Sequence, residues 1–197
     1  MRFQADLVGD KRALTFLRKL GKEGQKAITR ATNNTGRKAR TLASREIRSD
    51  VSLSAAYVRA RLLIKRATFK RAEYVIRAKT RGVLMTRYPY RELQSGGVSV
   101  KIKKRGARKK IERGFVTRLN AQGRRVDAIA VPDYTGAIGK KRAKYKTGNL
   151  KIRVLYAPSV SQVFNDVRGR ITPEVERYFI EQMDKEINQA IKRIVNS

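Results

Sequence analysis

The chain has 197 residues, 41% of them apolar, and sets 48 Lys and Arg against 16 Asp and Glu, a formal net charge of +32. Cys and His are absent, which excludes disulfides, thiolate chemistry, Ser-His or Cys-His catalysis and zinc sites. Basic tails reach such charge density by being disordered, whereas this chain keeps enough aliphatic residues for a core; it reads as a folded body that repels itself and needs a polyanion, nucleic acid above all.

No run of 18 apolar residues occurs, so no membrane span is expected, and Met1-Arg2-Phe3-Gln4-Ala5-Asp6 leads into no apolar stretch of the secretory kind. Residues 2–8 alternate, with Phe3, Ala5 and Leu7 on one side, and predict a short strand. Asp10 is placed to cap a helix carrying Ala13, Leu14, Leu17 and Leu20, which Gly21 would stop. A longer helix is predicted over 23–48, its inward face Ile28, Ala31, Thr35, Ala39, Leu42 and Glu46 or Ile47. That face is built of small residues and predicts close packing against another element. Asn33, Asn34 and Gly36 weaken the helix by roughly 1 kcal/mol or more, which leaves a break there open. A third helix is predicted over 52–63, carrying Leu53, Ala56, Tyr57 and Ala60.

The period then shortens. Residues 67–79, with Phe69, Tyr74 and Ile76, predict a strand, and further strands follow over 83–88, 98–104, 114–119, 126–131 and 152–156. Gln94-Ser95-Gly96-Gly97 signals a turn, and 133–149 reads as a Gly- and Lys-rich loop. Thr172-Pro173-Glu174 predicts a helix start, with a capping hydroxyl, Pro at the first position and acids in the first turn. Behind it runs the clearest amphipathic stripe of the chain: Val175, Tyr178, Phe179, Met183, Ile187, Ala190, Ile191 and Ile194. Core packing and a subunit contact both fit that stripe.

Charge is unevenly spread. Lys101, Lys103, Lys104, Arg105, Arg108, Lys109, Lys110, Arg113, Arg118, Arg124 and Arg125 stand against Glu112 alone, and the later loop adds Lys140, Lys141, Arg142, Lys144 and Lys146. Asp166, Glu174, Glu176, Glu181, Asp184 and Glu186 gather near the C-terminus, which predicts one nearly neutral end and an intensely basic β-rich middle. Residues 101–110 read as a hairpin with Gly106 at its tip, Lys101 and Lys103 on one face and Ile102 on the other. Its cations suit phosphates and, lacking a fixed aromatic spacing, backbone contact more than base reading; the alternative is a solvated rim. Lys101, Lys103, Lys104, Arg105, Arg108, Lys109, Lys110, Arg113, Lys140, Lys141 and Arg142 are the candidate DNA contacts.

Tyr74, Tyr88, Tyr90 and Phe115 sit among cations, where they either anchor a sheet or stack on bases. Glu112, Asp127 and Asp133 are the only acids between Val98 and Leu150 from which a metal-dependent nuclease site could be drawn, and their spacing does not require convergence. Gly136-Ala137-Ile138-Gly139-Lys140-Lys141 lacks both the spacing of a phosphate-binding loop and the Ser or Thr after Lys. No enzyme activity, metal or cofactor is therefore expected.

The segment order carries a resemblance. Ala27-Ile28-Thr29-Arg30-Ala31 opens a small-residue helix, Arg45-Glu46-Ile47 closes it, and Ala60-Arg61-Leu62-Leu63-Ile64-Lys65-Arg66-Ala67-Thr68 follows. Leu155-Tyr156-Ala157-Pro158-Ser159-Val160 precedes the acid-bearing C-terminal helix. The chain resembles the minor tail protein Z family, tail completion or neck proteins of lambda-like tailed phages, most closely over 25–70 and 150–195. The resemblance implies an α+β fold: N-terminal helices, a central mainly antiparallel β-sheet with a long basic hairpin, and a C-terminal amphipathic helix. It implies a single domain over 1–197 with a basic β-rich insertion at about 80–150. It further implies a homo-oligomeric, hexameric ring at the head-proximal end of the tail. The expected partners are a tail terminator or tail tube protein, the head-tail connector and the duplex DNA end, with no membrane. The expected location is the virion neck, with assembly in the host cytoplasm. A ribosomal-type RNA-binding protein is the alternative, though such proteins more often carry long basic extensions.

Overall fold

The computed structural model describes residues 21–121, 123–133, 145–147 and 150–195. The strand expected over 2–8 and the helix expected behind Asp10 lie outside the described residues. The described residues form an α+β fold of three helices and several antiparallel sheets. Two compact units divide it. The first comprises the described parts of Met1–Ile47, Ala55–Lys79 and Ser161–Ser197, the second Arg48–Ser54 and Thr80–Val160.

The first unit is built on two long helices, α1 (Lys22–Asp50) and α3 (Val160–Val195). Ala27, Ala31, Thr35, Ala39, Ala43 and Ile47 of α1 are buried, one at every fourth residue, and Leu42 is buried beside them. Ile28 of the expected inward face is only partly buried, packed with Phe179 and Ile187 around Ala31 and Met183. The helices run antiparallel, as their polar pairs record. Glu23 meets Arg193 at 3.9 Å, Arg30 meets Glu186 at 3.9 Å, and the Asn34 amide donates to Gln182 Oε1 at 3.1 Å. Lys38 meets Glu174 at 3.2 Å, and Arg170 meets Glu46 at 3.8 Å.

Helix α1 does not break at its weak residues, because each is held by a tertiary contact. Gly36 is buried, and a Cβ there would overlap the Tyr74 ring, so the glycine provides the space in which that ring packs. Asn33 donates to the Ala67 carbonyl and accepts from the Ala67 amide, both at 3.0 Å. These two bonds exceed in worth the helix propensity that an Asn forfeits.

Between the long helices lie α2 (Ala55–Arg61), β1 (Leu62–Lys65) and β2 (Val75–Ala78). The helix expected over 52–63 is thus shorter and buries Val58, while Ala56 and Ala60 are exposed. Leu62–Lys65 leave helix to pair antiparallel with β2, from Leu62 opposite Ala78 to Lys65 opposite Val75. The long strand expected over 67–79 contracts to β2, because Thr68 and Arg71 close a tight turn on each other's backbone.

The expected helix start at Thr172-Pro173-Glu174 is overturned: α3 begins twelve residues earlier and Pro173 lies inside it. Thr172 donates its hydroxyl to the Arg168 carbonyl at 3.0 Å, an interior bond and not a cap. Pro173 brings no N–H to the Gly169 carbonyl, but both residues are exposed, so water can serve that carbonyl. Buried Val163, Phe164, Val167 and Ile171 supply the apolar stripe that extends the helix backward.

The second unit is β-rich. Strands β7 (Phe115–Ala121), β8 (Arg124–Pro132), β9 (Tyr145–Thr147) and β10 (Leu150–Val154) form a sheet in the order β7-β8-β10-β9. Ala128, Ile129 and Ala130 of β8 are all fully buried, the continuous apolar run expected of an inner strand covered on both faces. A second sheet orders β4 (Tyr90–Glu92), β5 (Val98–Val100) and β6 (Lys109–Ile111) as an antiparallel meander. Strand β3 (Val83–Leu84) pairs with β11 (Tyr156–Ala157). The strand expected over 83–88 ends early in a 3-10 turn at Met85–Arg87, where the Thr86 hydroxyl donates to the Asp127 carbonyl at 2.7 Å.

Candidate nucleic-acid interface

The basic segment forms the loop and outer strand of the β5–β6 hairpin. Val100 pairs with Lys109, so residues 101–108 make the connection. The strand expected over 98–104 stops at Val100, because the chain changes partners there. The Lys101 amide donates to the Pro89 carbonyl at 2.9 Å. The next residues turn to the last residue of α1 and the segment behind it: Ser52 N donates to Ile102 O at 2.8 Å and Lys104 N to Asp50 O at 2.9 Å. Val51 and Lys103 form an antiparallel bridge. The expected pleat, with Lys101 and Lys103 sharing a face, is therefore not continued. Lys101 and Ile102 are both half-buried and Lys103 is exposed.

This arrangement holds the base of the loop and leaves its cations outside. Lys103, Lys104, Arg105, Arg108, Lys109, Lys110 and Arg113 are all exposed. Gly106 sits among them with φ +123°, a left-handed backbone that a side chain would strain. Arg108 reaches back to the Pro89 carbonyl at 3.4 Å. Among the described residues Lys103, Lys104, Arg105, Lys109 and Lys110 make no ion pair; Glu112, the nearest acid in sequence, is exposed. Lys109 and Lys110 also occupy an edge strand, where charge discourages pairing with a foreign strand. Lys140, Lys141 and Arg142 lie outside the described residues.

The other candidates separate. Tyr74 and Tyr88 are buried, at 6% and 2% exposure, while Tyr90 and Phe115 are half-buried in β4 and β7. Burial pushes the Tyr74 hydroxyl up, against the pull of Arg40, Arg66 and Arg37. Asp127 is exposed and pairs with Arg118 at 3.3 Å across the β7–β8 hairpin; Asp133 is buried, its amide donating to the Lys151 carbonyl. Among the described residues no group of three or more acids is placed to hold a metal. On α3, Val175 and Met183 are buried, whereas Tyr178, Phe179, Ile187 and Ile191 are half-buried. Lys38 lies 5.7 Å above the Tyr178 ring. Sequence reasoning missed Asp50, Val51 and Ser52 as the anchor of the basic loop. The signal was the apolar Val51 and Leu53 flanking Ser52, an alternation read instead as a helix entry.

No described helix is long and apolar enough to cross a membrane. No curated protein and no solved structure matches the chain. The model of one family, prophage minor tail protein Z (GPZ), matches residues 7–197, essentially the whole length. The chain belongs to the prophage minor tail protein Z family and is a minor structural protein of the phage tail.

Proposed function

We propose that the protein is a tail completion or neck component: a hexameric ring at the head-proximal end of the tail, joining it to the head-tail connector and holding the genome end without reading its sequence. The observation that carries this reading is the β5–β6 hairpin, where five exposed cations have no acid partner and the base of the loop is fixed by Asp50–Ser52. Cations on a fixed mount suit a phosphate backbone, whose neutralisation releases counterions whatever the sequence. The basic β-rich stretch at about 80–150 is an insertion that carries this surface within a single tail-completion domain over 1–197. A tail terminator or tube protein adjoins the ring on the tail side, and the ring assembles in the host cytoplasm.

A magnitude limits the role of DNA. Six copies carry roughly 190 formal positive charges, whereas a passage on the order of 50 Å encloses only about 30 phosphates at about one per 1.7 Å. Most of the charge therefore faces acidic neighbouring proteins or solvent, and charge complementarity with the connector and tube follows.

The test is duplex binding by the full chain and by a variant with Lys103, Lys104, Arg105, Lys109 and Lys110 changed to Gln. Each phosphate contact contributes about 0.9 to the slope of log K against log salt, so the variant should lose about 4.5 from that slope. An unchanged slope removes the hairpin from the interface, and virions that lack the protein at the capsid–tail joint remove the neck assignment.

A further inference from the structure

Helix α3 differs from the rest of the chain in its charge. It holds six acids and six cations, so the entire surplus of +32 lies outside it. Two copies of so basic a chain repel over most of their surfaces, and α3 is where they can approach without that penalty. The helix has two sides. One buries Val175, Met183 and Ala190, with Ala31 of α1 against Met183. The other is exposed and carries Glu176, Arg177, Ile180, Glu181, Asp184 and Lys185. Ile180 is 56% exposed, the most exposed large apolar side chain among the described residues. None of the five charged residues beside it forms an ion pair among the described residues, although Arg170, Glu174, Glu186 and Arg193 of the same helix all do.

The order of those residues is self-complementary. Arg177 and Asp184 stand seven residues apart, two turns along one stripe. When two α3 helices lie antiparallel about a two-fold axis between Ile180 and Glu181, Arg177 of each copy faces Asp184 of the other, twice over. The two Ile180 side chains then meet beside the axis, and Glu181 lies within reach of Lys185 from both copies. We infer that the exposed face of α3 is an isologous contact through which two copies of this chain pair, with Ile180 at its centre and reciprocal Arg177–Asp184 ion pairs flanking it. The contact needs neither DNA nor a ring, and as a closed two-fold it is separate from any head-to-tail ring interface.

A contact of three helical turns is smaller than a standard interface of roughly 1,600 Å², so the pairing is weak and is sought at about 0.5 mM protein. Sedimentation equilibrium in about 0.3 M salt, where repulsion is screened beyond a Debye length well under 10 Å, should show reversible dimers. Arg177→Asp lowers the net charge and Asp184→Arg raises it. General repulsion therefore predicts opposite effects, whereas the two-fold contact predicts that each weakens dimerisation at least tenfold and that the double swap restores it. The chain has no Cys, so Ile180→Cys introduces a single thiol. Mild oxidation should link it to its symmetry mate, whereas Gly169→Cys on the same helix, its mates roughly 35 Å apart at 1.5 Å per residue, should not link. Circular dichroism confirms folding of each exposed-site variant, and the cysteine pair tests the contact independently of the swaps. A strictly monomeric protein, single swaps with opposite effects, or dimers that Ile180→Cys fails to trap would each overturn the inference.

Discussion

Helix α3 and the β5–β6 hairpin treat charge in opposite ways. In α3 six acids offset six cations, and four of the twelve reach across to α1 in ion pairs. Residues 101–113 hold eight cations and Glu112 alone, and five of the cations face outward with no ion pair among the described residues. The first pattern sets the register of two helices. Three of the four pairs have both partners at least partly exposed, where a pair adds only about 0–1 kcal/mol, and Glu186 alone is buried, so packing of small residues supplies most of the stability and the charges choose the alignment. The second pattern gives the fold nothing and raises its self-repulsion; it gains value only from an anionic partner.

Gly36→Leu should be the most damaging, because the new side chain displaces the Tyr74 ring from α1. A loss of about 3 kcal/mol in denaturant unfolding is expected. A neutral result would mean that the helix side does not depend on close packing. Asn33→Ala removes both bonds to Ala67 and leaves a backbone amide and carbonyl without partners, which should cost about 1–3 kcal/mol in the same assay.

The five-site hairpin variant should move stability little, within about 0.5 kcal/mol per site, and toward greater stability at low salt as repulsion falls. If it unfolds more easily, those cations have structural partners and the contrast fails. The smallest effect concerns pH. The Lys26 ammonium, hydrogen-bonded to Glu23 at 2.6 Å, holds that carboxyl below the usual carboxylate range, with Arg193 and Arg30 adding to the pull. A depressed acid stabilises above its unfolded pKa and loses that contribution as pH falls through the folded one. Thermal unfolding from pH 7 down to pH 3 should therefore show a slightly shallower acid loss for Glu23→Gln than for the natural chain.

Much of this was legible from residue order. The burial of Ala31, Thr35, Ala39 and Leu42 on one face of α1 follows from steps of three and four, and Ile47 rather than Glu46 completes that face. Strand β8 is announced by its β-branched run, and the hairpin by Gly106 among cations. Other features were misread for a common reason. Asn33, Asn34 and Gly36 look like a weak point because propensity counts only the local backbone, whereas Ala67, Gln182 and Tyr74 arrive from 34 to 148 residues away. Thr172-Pro173-Glu174 looks like a start because each residue suits one, yet Val163, Phe164, Val167 and Ile171 extend the apolar stripe behind it.

Composition and periodicity settle what depends on neighbours in the chain: the charge surplus, the absence of thiol and imidazole chemistry, the helical flanks and the β-rich middle. Tertiary structure decided what depends on residues meeting from afar. It kept α1 continuous through its glycine, aligned α3 with it through acid and base, and tied the basic loop to Asp50–Ser52. A hydrogen bond or ion pair has no value until its partner arrives, and local sequence does not say which partner that will be.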